Sequence, residues 1–482
     1  MPVPRPRIGG VARNILLVGG ATALGQGAIA IAAPVLARLY DPDAFGLLSV
    51  YAGLLSVLIA ASSLRFDLAI PIASDAIEAL HLLVLSVCIA VATSAVVALT
   101  VVVWGTQIST LLGVVQLGPY LWLLPIALLI ASVAQSLSSW AVYHRSFPQL
   151  GRMRAIQGVS QAVGQAVLGF LHVGSIGLIV GDVAGRFVGV EQLFRPLRAT
   201  LRTTKVSLEA VRRYAGERWR FARVMTGASF LNALSLQVPF LLIPALFDLR
   251  SSGQYFLAYR VLVLPGSLVA AAVSQVFFGE ASFRGSDERR LHDLAYNAAI
   301  SLFVFSIPTY AIVAAVGPSL ISTVFGAQWD LAGTFAQLMA PSLILWSVAN
   351  PISSLLLVGR RERESLAFTA AELLLKAGAL GFGALVHSLT VGIIVLSIVS
   401  VLINVAALWR FLRVASVTLG DLVRPLAAIA ALTAGPVAVI VVVSRALPAA
   451  LLVVSAIGWL VALLLCVRLL PQPRAFLSGI HD

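Results

Sequence analysis

The chain has 482 residues, 60% of them hydrophobic and only 11% charged, with a formal net charge of +13 and a mean hydropathy of +0.99. That balance excludes a soluble globular protein and describes an all-α integral membrane protein. Basic residues in such number would suggest nucleic acid in a soluble chain. Here they sit in short segments between apolar runs, so membrane lipids and not nucleic acid are the expected partners.

The N-terminal stretch carries Arg5 and Arg7 among prolines and then enters an apolar run too long for a signal peptide, so the first helix is expected to be retained. A bilayer asks for about 20 apolar residues per helix, which divides the chain into about fourteen spans. They cover 14–37, 44–63, 79–103, 119–141, 153–173, 175–194, 221–246, 254–280, 295–316, 332–358, 366–387, 391–412, 423–444 and 448–470. With the N-terminus in the cytoplasm, one side receives Arg5, Arg7, Arg13, Arg65, Arg145, Arg152, Arg154, the 195–223 block, Arg284, Arg289, Arg290, Arg360, Arg361, Arg363, Arg410, Arg413, Arg424, Arg468 and Arg474. The other side receives Arg38, Arg250 and Arg445. This asymmetry predicts a multi-pass membrane protein with both termini in the cytoplasm.

An internal repeat runs through the spans. Gly20-Ala21-Thr22, Leu24, Leu39-Tyr40-Asp41 and Gly46 recur as Gly227-Ala228-Ser229, Leu231, Leu246-Phe247-Asp248 and Gly253, at a constant offset of 207. Ser132-Val133-Ala134, Ser138-Ser139 and Arg145 recur as Ser347-Val348-Ala349, Ser353-Ser354 and Arg360, at an offset of 215. Six spans separate the two starts, so the copies point the same way and form two lobes related by an axis along the membrane normal. The expected organisation is an N-lobe at 1–194, a basic cytoplasmic linker at 195–220, a C-lobe at 221–414 and two extra helices in 415–482. The linker reads as an interfacial helix on the anionic inner leaflet or as a plain solvated tether.

No catalytic or metal-binding signature appears. The only lysines, Lys205 and Lys376, follow no phosphate-binding glycine loop, so no ATP module is encoded and Cys88 and Cys466 read as packing residues. Asp41-Pro42-Asp43 is a DxD triplet, but Asp248 repeats Asp41, which suits helix N-caps better than catalysis.

Charges inside spans cost roughly 2.5–3.5 kcal/mol each, so they need an explanation. Asp182 with Arg186, and Glu372 with Lys376, are spaced i, i+4 and can neutralise one another on one helix face. Each pair is either a self-satisfied packing element or part of a wet cavity. Gln157 and Gln161 align with Glu372 and Lys376 in the repeat, giving both lobes matched polar faces. Arg260 stands alone in the eighth span, where it either snorkels or meets an anion. Arg65 and Asp67 head an apolar segment broken by Pro71, a pattern that suggests a gate built on Asp67 and Pro71.

The first 80 residues, with Asn14, Gly20-Ala21-Thr22, Gln26, Pro34, Ala37-Arg38-Leu39-Tyr40, Pro42, Phe45-Gly46 and Leu64-Arg65-Phe66-Asp67-Leu68-Ala69-Ile70, resemble the polysaccharide transporter family of the multidrug/oligosaccharidyl-lipid/polysaccharide exporter superfamily. The mid-chain Gly253-Gln254-Tyr255, Leu257-Ala258-Tyr259-Arg260-Val261, Pro265 and Gln275-Val276-Phe277-Phe278 are similar to the same family.

The resemblance implies a flippase, not an enzyme. Its cargo would be undecaprenyl-diphosphate-linked oligosaccharide for O-antigen, exopolysaccharide or capsule, moved by alternating access between two lobes. It implies no cofactor beyond coupling to an H+ or Na+ gradient, and partners among polysaccharide polymerases and glycosyltransferases. Arg186, Lys376 and Arg65 are then candidates to hold the diphosphate, joined by Arg260, Gln157 and Gln161. Asp182 and Glu372 are candidates for ion coupling. The competing readings are a small-molecule/cation antiporter of the same superfamily, and a membrane glycosyltransferase or polymerase built on Asp41 and Asp43.

Overall fold

The computed structural model describes the backbone of residues 8–203, 206–283, 288–352, 362–446 and 450–469, with side chains left undescribed at 8–18, 195–196, 198–199, 202–203, 267–283, 288–291, 362–365 and 419. Several expectations fall outside the described residues: the side chains of Asn14, Arg195, Arg198, Arg202 and Gln275 to Phe278, and Lys205, Ser353, Ser354 and Arg360 altogether.

Among the described residues the backbone forms fifteen α-helices and no strand. In order these are α1 Ile8–Leu39, α2 Pro42–Ser62, α3 Ala76–Leu111, α4 Leu123–Tyr143, α5 Phe147–Phe170, α6 Ile176–Phe187, α7 Glu191–Thr203 and α8 Leu208–Leu246. They are followed by α9 Leu249–Phe283, α10 Glu288–Phe325, α11 Asp330–Ile352, α12 Glu362–Leu385, α13 Leu389–Val414, α14 Leu419–Ala446 and α15 Leu451–Leu469. An all-helical answer is what hydrocarbon demands, because a helix satisfies its own backbone donors and acceptors. Local sequence sets the ends. Asp41 caps α2 by accepting from the Ala44 N–H at 2.8 Å, with Pro42 in the first turn. Asp75 caps α3 by accepting from the Ile77 and Glu78 N–H groups. Asp248, the repeat partner of Asp41, accepts from the Ser251 N–H at 2.7 Å at the start of α9.

Eleven helices among the described residues are long and apolar enough to cross a membrane. Three of the fourteen expected spans are not among these eleven. The fifth span, 153–173, lies on α5, which is 24 residues long but carries Arg152, Arg154, Gln157, Gln161 and Gln165. The sixth, 175–194, is not one helix. α6 stops after 12 residues at Phe187, Gly189 takes a left-handed φ of +90°, and α7 starts at Glu191. The eighth, 254–280, falls on α9, whose described side chains end at residue 266.

The chain divides into two compact units, Met1–Gly253 and Gln254–Asp482. The sequence boundary at 220/221 falls inside α8, which runs unbroken along α2 and α3 and belongs to the first unit. In that unit α5 packs on α1 and α6, α2 on α8, and α3 on α4. One of its cores gathers Phe66, Ile70, Leu80, Leu82, Trp140 and Leu193. In the second unit α11 packs on α10 and α13, α12 on α13, and α14 on α10 and α15. Its core includes Phe303, Val348, Leu412, Ile429 and Cys466. The Trp459 Nε1–H donates to Thr309 Oγ1 at 2.9 Å and fixes α15 to α10.

Within the first unit the repeat-related glycines meet. A Cβ on Gly46 would strike the Leu249 carbonyl oxygen, and one on Gly253 would strike the Pro42 carbonyl oxygen. This contact brings the starts of α2 and α9 together, and Ser49 Oγ lies 2.9 Å from Ser252 Oγ beside it. Gly20 and Gly227, also repeat-related, have nothing within 4 Å of a built Cβ. Gly46→Ala or Gly253→Ala should therefore destabilise the protein by about 1–3 kcal/mol. Gly20→Ala should leave it unchanged or stabilise it by up to about 1 kcal/mol. Melting temperatures of the purified variants check the contrast.

Candidate functional site

The polar site of the first unit is made by two helices that touch. α5 places Gln157, Gln161 and Gln165 at i, i+4 and i+8, hence on one face. α6 offers Gly181 and Gly185 to that face: a Cβ at Gly181 would lie 2.6 Å from Gln165 Cγ, and one at Gly185 2.5 Å from Gln161 Cβ. Small residues thus let the helices approach closely enough for amides to bridge them.

Three bridges result. Gln157 Nε2 donates to the Arg186 carbonyl at 2.8 Å, Gln161 Nε2 to Asp182 Oδ1 at 2.7 Å, and Gln165 Nε2 to the Leu178 carbonyl at 2.9 Å. Asp182 is buried, with 4% of its surface exposed. It accepts from Arg186 Nε at 2.8 Å and Arg186 Nη2 at 3.3 Å as well. Tyr51 of α2 lies within electrostatic range of both. The i, i+4 spacing read from the sequence is therefore a formed ion pair, and Gln161 joins it. Nearby, the Tyr40 hydroxyl donates to the Gln165 carbonyl at 2.9 Å; burial pushes this phenol up to about 12, so it stays a neutral donor.

The second unit holds the other pair. Lys376 Nζ lies 2.6 Å from Glu372 Oε1 on α12, with side chains 14% and 24% exposed. Tyr259 of α9 is within electrostatic range of Glu372, and its neighbour Arg260 places its guanidinium 5.7 Å from the Phe256 ring centre.

Arg65 and Asp67 sit where α2 gives way to a 3-10 turn, Phe66–Ile72, that contains Pro71. Arg65 adopts a left-handed φ of 57°. Asp67 is fully buried and accepts from Ser63 Oγ at 2.5 Å and Gln135 Nε2 at 2.8 Å, while Arg65 Nη1 stands 3.8 Å away. Pro71 is exposed. The sequence singled out Arg65, Asp67 and Pro71 but not Ser63 or Gln135, which do most of the holding.

A further cluster escaped the sequence reading. Glu78, 4% exposed on the first turn of α3, accepts from Arg218 Nη2 at 2.6 Å and from the Ser74 N–H at 2.8 Å. His81, one turn on, lies with Nδ1 2.6 Å from the Ile77 carbonyl, and its Nε2 accepts from the Ser207 N–H at 3.3 Å. Together they fasten the start of α8 to α3. The available signal was an acid on the first turn of a predicted helix, which alone names no partner.

The comparisons with known proteins fit this architecture. The profile described as polysaccharide biosynthesis protein matches residues 35–333. The chain belongs to that family. It is 26% identical over 392 residues to the succinoglycan biosynthesis transport protein ExoT of Rhizobium meliloti, covering 80% of this chain and 76% of that one. It is 24% identical over 188 residues to the lipopolysaccharide biosynthesis protein WzxC of Escherichia coli, a match spanning 38% of each chain. Among solved structures, the lipid II flippase MurJ in an inward closed conformation matches 97% of this chain and 100% of its own, with a TM-score of 0.69 at 14% identity. An outward-facing multidrug resistance transporter of the MATE family matches 84% of this chain and 96% of its own, with a TM-score of 0.54 at 13% identity. The fold is thus the one seen in these two transporter structures, and the membrane character expected from composition holds for this polysaccharide biosynthesis protein.

The Asp182–Arg186 contact gives a stability test. Arg186 is 36% exposed, so solvent screens the pair and its coupling should be about 1–2 kcal/mol and not the full value of a buried bridge. Asp182→Asn and Arg186→Gln should each lower the melting temperature. The double variant should fall short of the sum by that coupling, measured as a double-mutant cycle.

Proposed function

We propose that this protein is a flippase that moves undecaprenyl-diphosphate-linked oligosaccharide from the inner to the outer leaflet of the bacterial cytoplasmic membrane, with both termini in the cytoplasm. One observation carries the reading: two carboxylate–cation pairs, Asp182 with Arg186 and Glu372 with Lys376, sit on helices of a polysaccharide biosynthesis protein. A diphosphate leaving the headgroup plane needs cations, and guanidinium and ammonium groups supply them. The names of the relatives, a succinoglycan transport protein and a lipid II flippase, support a lipid-linked cargo.

In this reading Arg186 and Arg65 of the first unit, and Lys376 and Arg260 of the second, are each candidates to take a diphosphate oxygen, and Gln157 and Gln161 hold the α5–α6 pair in place. Asp182 and Glu372 couple transport to an H+ or Na+ gradient, because a carboxylate that loses its cation to the substrate regains neutrality by binding a proton or a metal cation. The polymerase and glycosyltransferases that consume and supply the repeat unit are the expected partners. Asp41 is occupied as a helix cap, which favours transport over a catalytic use of Asp41 and Asp43.

Deletion of the protein should leave lipid-linked repeat units facing the cytoplasm, read by protection from an externally added glycan-modifying enzyme in intact spheroplasts. Accumulation on the outer face would sink the proposal. Arg186→Gln and Lys376→Gln should each cut transport at least tenfold while the protein remains in the membrane, since one lost charge-assisted contact is worth roughly 1.5–3 kcal/mol. Normal transport by either variant removes that residue from the site.

A further inference from the structure

α8 is 39 residues long, about 58 Å at 1.5 Å per residue, whereas a hydrocarbon core of about 30 Å takes roughly 20. The surplus lies at its N-terminal end, where the residues stop being apolar. That end has two unlike faces. Tyr214, Arg218 and Ala222, spaced by four, form the inner one: Tyr214 and Ala222 are buried, and Arg218 is paired with Glu78. His81 packs on the Tyr214 ring with centroids 5.7 Å apart and accepts from the Ser207 N–H. The helix is therefore not a loose tether; its orientation is fixed.

The outer face carries Arg212, Arg213, Arg220 and Arg223, all exposed. Among the described residues, Arg212, Arg220 and Arg223 have no carboxylate within ion-pair distance; Arg213 has a loose contact with Glu217 at 3.7 Å, both side chains more than half exposed, and its guanidinium lies 4.6 Å from the Tyr214 ring centre. Among these arginines Trp219 is 50% and Leu208 66% exposed. Arginines interleaved with an exposed indole and leucine on a helix pinned from behind suit the boundary between lipid headgroups and acyl chains, where indole and guanidinium are both favoured. A purely solvated face has no use for the Trp219 indole, and an acidic protein surface would not favour the leucine.

We infer that the outer face of α8, from Leu208 to Arg223, binds anionic phospholipid headgroups, the arginines taking phosphate oxygens and Trp219 and Leu208 entering the interface. The lipid so held is distinct from the transported cargo. The inference borrows from the proposed function only that this end of α8 is cytoplasmic. Its test needs no transport, so either can fail without the other.

The full-length protein is placed in nanodiscs of phosphatidylcholine alone or with phosphatidylglycerol, and amide hydrogen exchange is followed. A nanodisc presents the same lipid on both faces, so the outcome does not depend on orientation. Phosphatidylglycerol should slow exchange in the peptides covering 208–223 by at least about fivefold, since one basic side chain near an anionic surface is worth about that much. Peptides from α13 should not change. Raising the salt to about 1 M, where screening acts within ~3 Å, should reverse the slowing. The R212Q/R213Q/R220Q/R223Q variant should show none of it. Equal exchange in the two lipids overturns the inference and leaves the face to solvent or an acidic protein. Slowing that survives high salt overturns its electrostatic basis without recourse to any variant.

Discussion

In hydrocarbon a carboxylate is held only if donors reach it, and Asp182 is reached because α6 can lie directly against α5. Gly181 and Gly185 make that approach possible. Any side chain there would push α6 away from Gln165 and Gln161 and open all three amide bridges together. The same economy recurs around it: Gly25 of α1 would meet the Arg154 carbonyl of α5 at 2.7 Å if it carried a Cβ. The polar residues of the first unit thus depend on backbone contact more than on one another. Apolar attraction between helices adds little in lipid, so close packing and interhelical hydrogen bonds must hold the bundle.

The repeat shows how the two units have diverged. Under the offset of 215, Gln157 and Gln161 become Glu372 and Lys376, while Asp182 and Arg186 become Ser397 and Val401. In the first unit the charge is on α6 and α5 supplies neutral amides to it. In the second the charge has moved to the counterpart of α5, where it closes on itself within α12. Ser397, freed of any partner charge, donates to the Leu338 carbonyl of α11 at 2.6 Å. At these repeat-related positions each unit keeps one i, i+4 pair of opposite charges, and the first ties its pair to a second helix through the Gln161–Asp182 hydrogen bond.

What the sequence made legible was local. Apolar length located most helices, and i, i+4 spacing gave both ion pairs, because each is decided within one turn. The break after Phe187 was hidden: Val188, Val190 and Phe194 prolong the apolar run, and hydropathy does not register that Gly189 must turn the chain at positive φ. Contacts between distant segments were equally hidden. Glu78 and Arg218 are 140 residues apart, and Gln135 and Asp67 are 68 apart, so no periodicity connects them. The repeat was readable, but its consequence for packing was not. The first helix of the second copy, α8, packs with the first unit.

The candidate cations differ in how much must be given up before each can take an anion. Arg186 uses Nε and Nη2 on Asp182, so drawing it away leaves a 4% exposed carboxylate with Gln161 as its remaining side-chain donor. Lys376 is bound at 2.6 Å to a carboxylate that is 24% exposed, and solvent offsets part of the loss. Arg65 stands apart from both. Asp67 is already satisfied by the neutral donors Ser63 and Gln135, the guanidinium is 3.8 Å away, and its buried Nε has no hydrogen-bond partner among the described residues. A phosphate meeting Arg65 would disturb no short ion pair and would satisfy a donor that now has none. Displacement at Arg186 must instead be accompanied by neutralisation of Asp182, since an uncompensated buried charge costs several kcal/mol. Of these three candidates, Arg65 therefore gives up least on meeting an anion and Arg186 gives up most.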